Sequence, residues 1–293
     1  MGMGSTFRRI GVVLEMIKFQ HSVFALPFAL AAMLVAAGGL PAAWTAAWIV
    51  LACVFARSAA MAFNRWTDVE FDRENPRTRA RALVTGALSR RFALAFTVGA
   101  VAGFVFSAAM LNRLCLGLSP VAVAVILGYS YVKRFSELTH LVLGLALGIA
   151  PVGAWLAVRG SFDEVWIPLA LSTAVVLWTA GFDIIYACQD YEHDQQTGLH
   201  SIPKRWGMRR ALWISAAAHA AAMVGFLAFW GLAHLGWATL AAMLGTAVLL
   251  SVEHALVKPS DLARVNTAFF TINGLVSFAV LAGVAVDVLV LRR

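Results

Sequence analysis

Charged side chains make up only 13% of the 293 residues, about half of the roughly 25% usual in a soluble domain. With 61% of the chain apolar, that scarcity excludes an ordinary water-soluble globule. Acidic residues are scarcer still, 15 against 23 lysines and arginines, for a net charge of +8. In a soluble chain this balance would raise the question of nucleic acid. Here the bases sit between long apolar runs, so the reading is no nucleic acid, and the partners are a lipid bilayer and an anionic substrate. Cysteine is also rare: Cys53, Cys115 and Cys188 are far apart and show no CxxC or Cys/His spacing, which excludes a disulfide framework and a structural zinc site.

What the chain has instead is apolar length. Stretches of about 18 to 22 residues, each enough to cross a bilayer, recur from end to end. They fall near 20–39, 44–64, 91–111, 117–132, 139–158, 164–187, 211–231, 236–256 and 267–290. Arg8 and Arg9 ahead of the first run resemble a signal peptide, but Lys18, Gln20 and His21 interrupt that run and further spans follow, so it is read as a retained first helix. Hydrocarbon offers no partner to a free backbone N–H or C=O, and these runs are too long for barrel strands. The expected fold is all-α, a polytopic membrane bundle of about nine transmembrane helices, with residues 1–293 as one integral membrane domain.

Lysine and arginine are retained on the cytoplasmic side of a membrane. With the N-terminus inside, 18 of the 23 basic residues fall on that side, whereas the outer side keeps Arg113, Arg159, Arg292 and Arg293 and Arg57 lies within the second span. The inner side also carries the two longest loops, 65–90 and 188–210. Both follow the order apolar helix, acidic cluster, basic tail, a weak hint of internal duplication.

The acids gather in those two places. If the second helix continues past the membrane boundary, Asn64, Asp68 and Asp72 are four apart and share a face, while Glu70 and Glu74 point away. Asp190 and Asp194 repeat the spacing, with Asp183 one layer deeper on the same face. Carboxylates with an Asn form an all-oxygen donor set suited to a hard cation, Mg²⁺ in particular, which combines few carboxylates with substrate phosphates. Nearby cations, among them Arg77, Arg81, Lys133 and Arg134, complete the description of a diphosphate site. The plainer reading is that each acid only pairs with an arginine at a wet helix end. It accounts poorly for the repeated spacing and for Asp183 inside an apolar helix, where an ionisable group is costly and usually functional. Tyr129 and Lys133 share a face at the inner end of the fourth span. His193 lies between two motif acids, but its helical phase points away from them.

These residues resemble the UbiA superfamily of intramembrane prenyltransferases. The NxxxDxxxD signature is matched by Asn64, Asp68 and Asp72, the second by Asp183, Tyr186, Asp190 and Asp194 in GFDIIYACQDYEHD, and the YxxxK element by Tyr129 and Lys133. The segments IKFQHSVFALPFALA and YVKRFSELTHLVLGLALGIAPVGAW are most similar to the 4-hydroxybenzoate polyprenyltransferase branch. The family's first long loop usually has an Asn-Arg-Pro-Leu-Pro-like stretch. Here residues 80–86 read ARALVTG, without either proline, which bears on loop rigidity rather than on the metal site.

The resemblance implies helices around a central cavity, capped by the two loops and open sideways to the bilayer. It implies Mg²⁺-dependent transfer from a polyprenyl diphosphate to a small aromatic acceptor such as 4-hydroxybenzoate, in quinone biosynthesis at the cell inner membrane. Asn64, Asp68, Asp72, Asp190 and Asp194 would hold the metal, and Lys133, Arg77 and Arg81 the diphosphate. Arg134 is the expected partner of an acceptor carboxylate, Tyr129 and Tyr186 face the allyl cation, and Asp183 orients or deprotonates the acceptor or holds Tyr186 or an arginine. The alternatives are a dihydroxynaphthoate acceptor, a CDP-alcohol transferase, whose DGxxAR element is absent, or a secondary transporter, whose sites belong near the bilayer midplane.

Overall fold

The computed structural model describes residues 11–17 and 24–291. The expected contributions of Arg8, Arg9, Lys18, Gln20, His21, Arg292 and Arg293 lie outside the described residues. Among those described, the secondary structure is helical and no strand forms; Lys258 and Asp261 make an isolated bridge in a loop.

Nine apolar helices follow one another: α1 (Leu26–Ala37), α2 (Ala43–Thr67), then after a short α3 (Val69–Glu74), α4 (Arg90–Leu111), α5 (Arg113–Val132), α6 (Thr139–Arg159) and α7 (Trp166–Ala187). After a second short helix, α8 (Tyr191–Thr197), come α9 (Ile202–Leu232), α10 (Trp237–Leu256) and α11 (Val265–Leu291). Eight are long and apolar enough to cross a membrane. The exception, α1, has 12 residues, reaching about 18 Å, and ends at Gly38, whose φ of 62° suits a residue without a Cβ. The seventh span starts nine residues before the expected 211, because Ser201 caps a helical lead-in whose only non-helical residue is Gly207 (φ 78°, ψ 158°).

Val98, Phe106, Val121, Val224 and Val248 are more than half exposed on the outer surface, the composition of a wall that faces lipid. Trp44, Trp166 and Trp237 project at the N-terminal ends of α2, α7 and α10, forming an aromatic belt at the face opposite the long loops. On that same face, buried Asp287 of α11 accepts from the amides of Ala238 (3.2 Å) and Thr239 (2.8 Å), satisfying the first turn of α10.

Without a hydrophobic force between helices in lipid, close packing must hold the bundle. Gly144 and Gly148 lie on the α6 face that meets α7. A Cβ on Gly144 would stand 2.3 Å from the Val176 carbonyl oxygen, and one on Gly148 3.0 Å from that of Ser172. This backbone approach seats α7 centrally, against α6 on one side and α9 on the other. Phe24, Phe28, Trp178, Phe182, Phe226 and Phe269 fill the core around it.

Candidate active site

Both acidic motifs lie where a spanning helix leaves regular geometry. Asp68 joins α2 to α3 with φ −98° and ψ 3°. After α7, a 3₁₀ turn over Cys188–Asp190 ends at Asp190, with φ −100° and ψ 7°. Both aspartates occupy the sparsely populated bridge region common among active-site residues. The hydrogen-bond ladder nevertheless runs on through the first joint, from the Asp68 amide to Asn64 O (3.1 Å) and from the Asp72 amide to Asp68 O (2.8 Å). The four-residue spacing therefore keeps Asn64, Asp68 and Asp72 on one side, and all three line a cavity of about 730 Å³.

Asp190, Asp194, Asp183, Tyr186, Tyr129, Lys133, Arg77 and Arg81 line the same cavity. Each motif carboxylate already has a partner. Lys133 Nζ donates to Asp68 Oδ2 at 2.5 Å, and Arg81 Nη1 to Asp72 Oδ1 at 2.5 Å. Arg77 grips Asp190 through Nε (3.0 Å) and Nη2 (2.5 Å), and its Nη1 donates to the Tyr186 hydroxyl at 2.8 Å. Asn75 Nδ2 adds a bond to Asp190 at 2.8 Å, and Ser201 Oγ one to Asp194 at 2.7 Å. Burial alone would lower the Arg77 guanidinium, but its hydrogen bond and charge contact with Asp190 raise it above its ordinary value. The loop lacking two prolines is still tied down: Arg77 N donates to Asn75 Oδ1, and amide bonds of Thr78, Arg81, Val84 and Leu88 close successive turns, with Gly86 at φ 79°.

Three sequence expectations need correction. Arg134 is not a cavity residue. Its guanidinium caps the free Thr67 carbonyl at the end of α2 (2.7 Å) and lies over the rings of Tyr131 and Phe71, which turns it away from the cavity. The arginines that line the cavity from α2 are Arg57 and Arg65, and Arg57 Nε is buried with no hydrogen-bond partner among the described residues. His193 does line the cavity, because the 3₁₀ turn at Cys188–Asp190 resets the helical phase assumed for an unbroken α7. Asp183 holds neither Tyr186 nor an arginine: its Oδ2 lies 2.7 Å from Nδ1 of His140, a residue the sequence reading passed over because no ligand spacing marks it.

Behind this polar chamber is a second cavity of about 280 Å³, walled almost wholly by apolar side chains of α2, α4, α5 and α6, with Ala52, Cys53, Ala56 and Ala60 along α2. Arg57, Tyr129, Leu143 and Leu147 border both, so the apolar space opens off the charged one.

The side chains that the motifs present are all oxygen donors, which suits a hard cation. Among the described residues no three His, Cys, Asp or Glu groups converge into a ready-made metal cage. That fits Mg²⁺, which binds through one or two carboxylates and completes its shell with phosphate oxygens and water.

The family model of the UbiA prenyltransferase family matches residues 25–275. The chain belongs to this family. UbiA relatives include the 4-hydroxybenzoate octaprenyltransferases of Cupriavidus necator, 35% identical over 87% of this chain and 88% of the relative, and of Burkholderia pseudomallei, 31% identical over 81% and 82%. The apo structure of a UbiA homologue from Aeropyrum pernix superposes with a TM-score of 0.83 and 38% identity, covering 92% of this chain and 98% of that one. A UbiA homologue from Archaeoglobus fulgidus bound to DMAPP and Mg²⁺ shares the fold, with a TM-score of 0.75 at 20% identity over 94% and 98% of the chains. This UbiA chain is thus a multi-pass membrane prenyltransferase, which sets aside the transporter and CDP-alcohol transferase readings.

Proposed function

We propose that this protein transfers a polyprenyl group from an allylic polyprenyl diphosphate to 4-hydroxybenzoate, as the names of its bacterial relatives state for them. The observation that carries the reading is the joining of both acidic motifs around one cavity, with Arg77 of the first loop gripping Asp190 of the second, above an apolar chamber. In this reading the whole chain, 1–293, is one prenyltransferase domain of the cell inner membrane, its N-terminus and active site facing the cytoplasm.

The reaction is heterolysis of an allylic C–O bond followed by attack of an electron-rich ring on the cation. The obstacle is charge separation. The ion pairs supply both signs: Lys133, Arg77 and Arg81 face phosphate oxygens, and Asp68, Asp72 and Asp190, with Asn64 and Asp194, face metal. Mg²⁺ bound there neutralises the departing diphosphate. Tyr186 packs on Phe269 at 4.3 Å, and with Phe182 and Tyr129 offers ring faces to an allyl cation in a cavity that excludes most water. The apolar chamber receives the first part of the prenyl tail.

The acceptor lies deeper. Arg57 precedes Asn64 by seven residues and Asp183 precedes Asp190 by seven, so each stands about 10 Å below its metal motif. A cation and a carboxylate at equal depth suit a ring with a carboxylate at one end and a hydroxyl at the other. Arg57, rather than Arg134, takes the carboxylate.

The test is mass spectrometry of the product that purified protein forms in detergent from 4-hydroxybenzoate, dihydroxynaphthoate and a series of prenyl diphosphates. A prenylated 4-hydroxybenzoate is expected; product from the naphthoate alone would move the assignment to that acceptor.

A further inference from the structure

The inference drawn next rests on the acceptor reading above and concerns a residue to which no role has been given. His140, in the first turn of α6, is 2% exposed and lines the cavity beside Asp183. Its two ring nitrogens have different partners. Nε2 faces the backbone amide of Ile202 at 3.2 Å, and an amide can only donate. Nε2 is therefore the acceptor, and the ring proton of the neutral imidazole sits on Nδ1. From there it is donated to Asp183 Oδ2 at 2.7 Å. The tautomer is set by the backbone, and it leaves Asp183 Oδ1 without a partner among the described residues.

The amide that sets it belongs to a short strap joining α8 to α9. Within this strap the His200 amide donates to Lys133 O at 2.7 Å, Ser201 Oγ donates to Asp194 at 2.7 Å, and Ile202 N–H reaches His140. Four consecutive residues thus touch the carrier of the Asp68 ion pair, a motif acid and the His–Asp pair.

We propose that His140 is a positioning residue for prenyl transfer: it holds Asp183 in one rotamer, with Oδ1 presented to the phenolic hydroxyl of the aromatic acceptor. As the ring carbon bonds to C1 of the prenyl chain, the C1–O bond breaks and its electron pair leaves with the diphosphate. The phenolic proton passes to Asp183, giving a dienone. Loss of the ring proton at the new bond to the diphosphate, and return of the Asp183 proton to the ring oxygen, restores the phenol. Without the His140 donor, Asp183 is free to rotate away.

The experiment compares His140→Phe, His140→Gln and His140→Asn in purified, detergent-solubilised protein, with 4-hydroxybenzoate and with 3-fluoro-4-hydroxybenzoate, whose hydroxyl is more acidic. A positioned base contributes about 10²–10⁴-fold, and His140→Phe is expected to lose roughly tenfold or more of kcat with KM for the prenyl diphosphate unchanged. The loss should be smaller for the fluorinated acceptor. His140→Asn, whose amide nitrogen overlays Nδ1, should recover activity, and His140→Gln should not. An equal loss on both acceptors, a rise in KM for the diphosphate, or equal behaviour of the Asn and Gln variants overturns the proposal. Failure of the unmodified protein to prenylate 4-hydroxybenzoate overturns the acceptor reading instead, so the two failures are distinguishable.

Discussion

Arg77 and Asp190, 113 residues apart in sequence, meet in a bidentate pair that closes the first loop onto the second acidic motif. The guanidinium also donates to Tyr186, so one side chain orders a motif acid and a ring of the aromatic wall. Only a planar fork makes these contacts together. Arg77→Lys keeps the charge and loses the fork. It is expected to raise KM for the prenyl diphosphate, and Arg77→Ala to raise it further and to lower kcat. Steady-state kinetics with labelled diphosphate check this, and equal kinetics for Arg77→Lys and the unmodified protein would show that charge alone suffices.

Two arginines exchange roles relative to the sequence expectation. Removing one member of a buried charge pair costs about 2–5 kcal/mol, roughly 30-fold or more in binding. Arg57→Gln should raise KM for 4-hydroxybenzoate on that scale and leave KM for the diphosphate alone. Arg134→Gln, which uncaps Thr67 at the end of α2, should lower thermal stability with little change in either KM.

The apolar chamber makes a prediction about chain length. Ala56 lines it, and Ala56→Phe fills space that a tail would use. The ratio of kcat/KM for a long polyprenyl diphosphate to that for geranyl diphosphate should fall. An unchanged ratio would mean that the tail takes another route.

Packing between α6 and α7 is open to test without touching the cavity. A methyl on Gly144 would meet the Val176 backbone, which cannot swing aside as a side chain can. Overpacking of this kind costs about 1–3 kcal/mol. Gly144→Ala should lower the Tm in detergent, whereas Gly153→Ala, with open space at its Cβ, should not.

The bundle was legible because apolar length and loop charge are one-dimensional signals. All nine spans emerged, with errors at ends such as that of α9, where Ser201 starts the helix before the apolar run begins. The motif acids were legible because a four-residue spacing survives the joint at Asp68, where the ladder continues. His193 was misjudged because one 3₁₀ turn rotates everything after Cys188. Arg134 was misjudged because adjacency to Lys133 does not imply a shared direction: neighbouring residues on a helix point about 100° apart. His140 left no sequence signal, since its partners Asp183 and Ile202 are 43 and 62 residues away.

The central claim is that two acidic motifs act together as the metal and diphosphate site of an aromatic prenyltransferase. The most direct measurement is transfer of a labelled polyprenyl group to 4-hydroxybenzoate by the unmodified protein and by Asp68→Ala and Asp190→Ala, each with Mg²⁺ and after chelation. The account predicts product only from the unmodified protein with Mg²⁺, restored when the metal is added back. Full transfer by either variant, or by chelated protein, would contradict it.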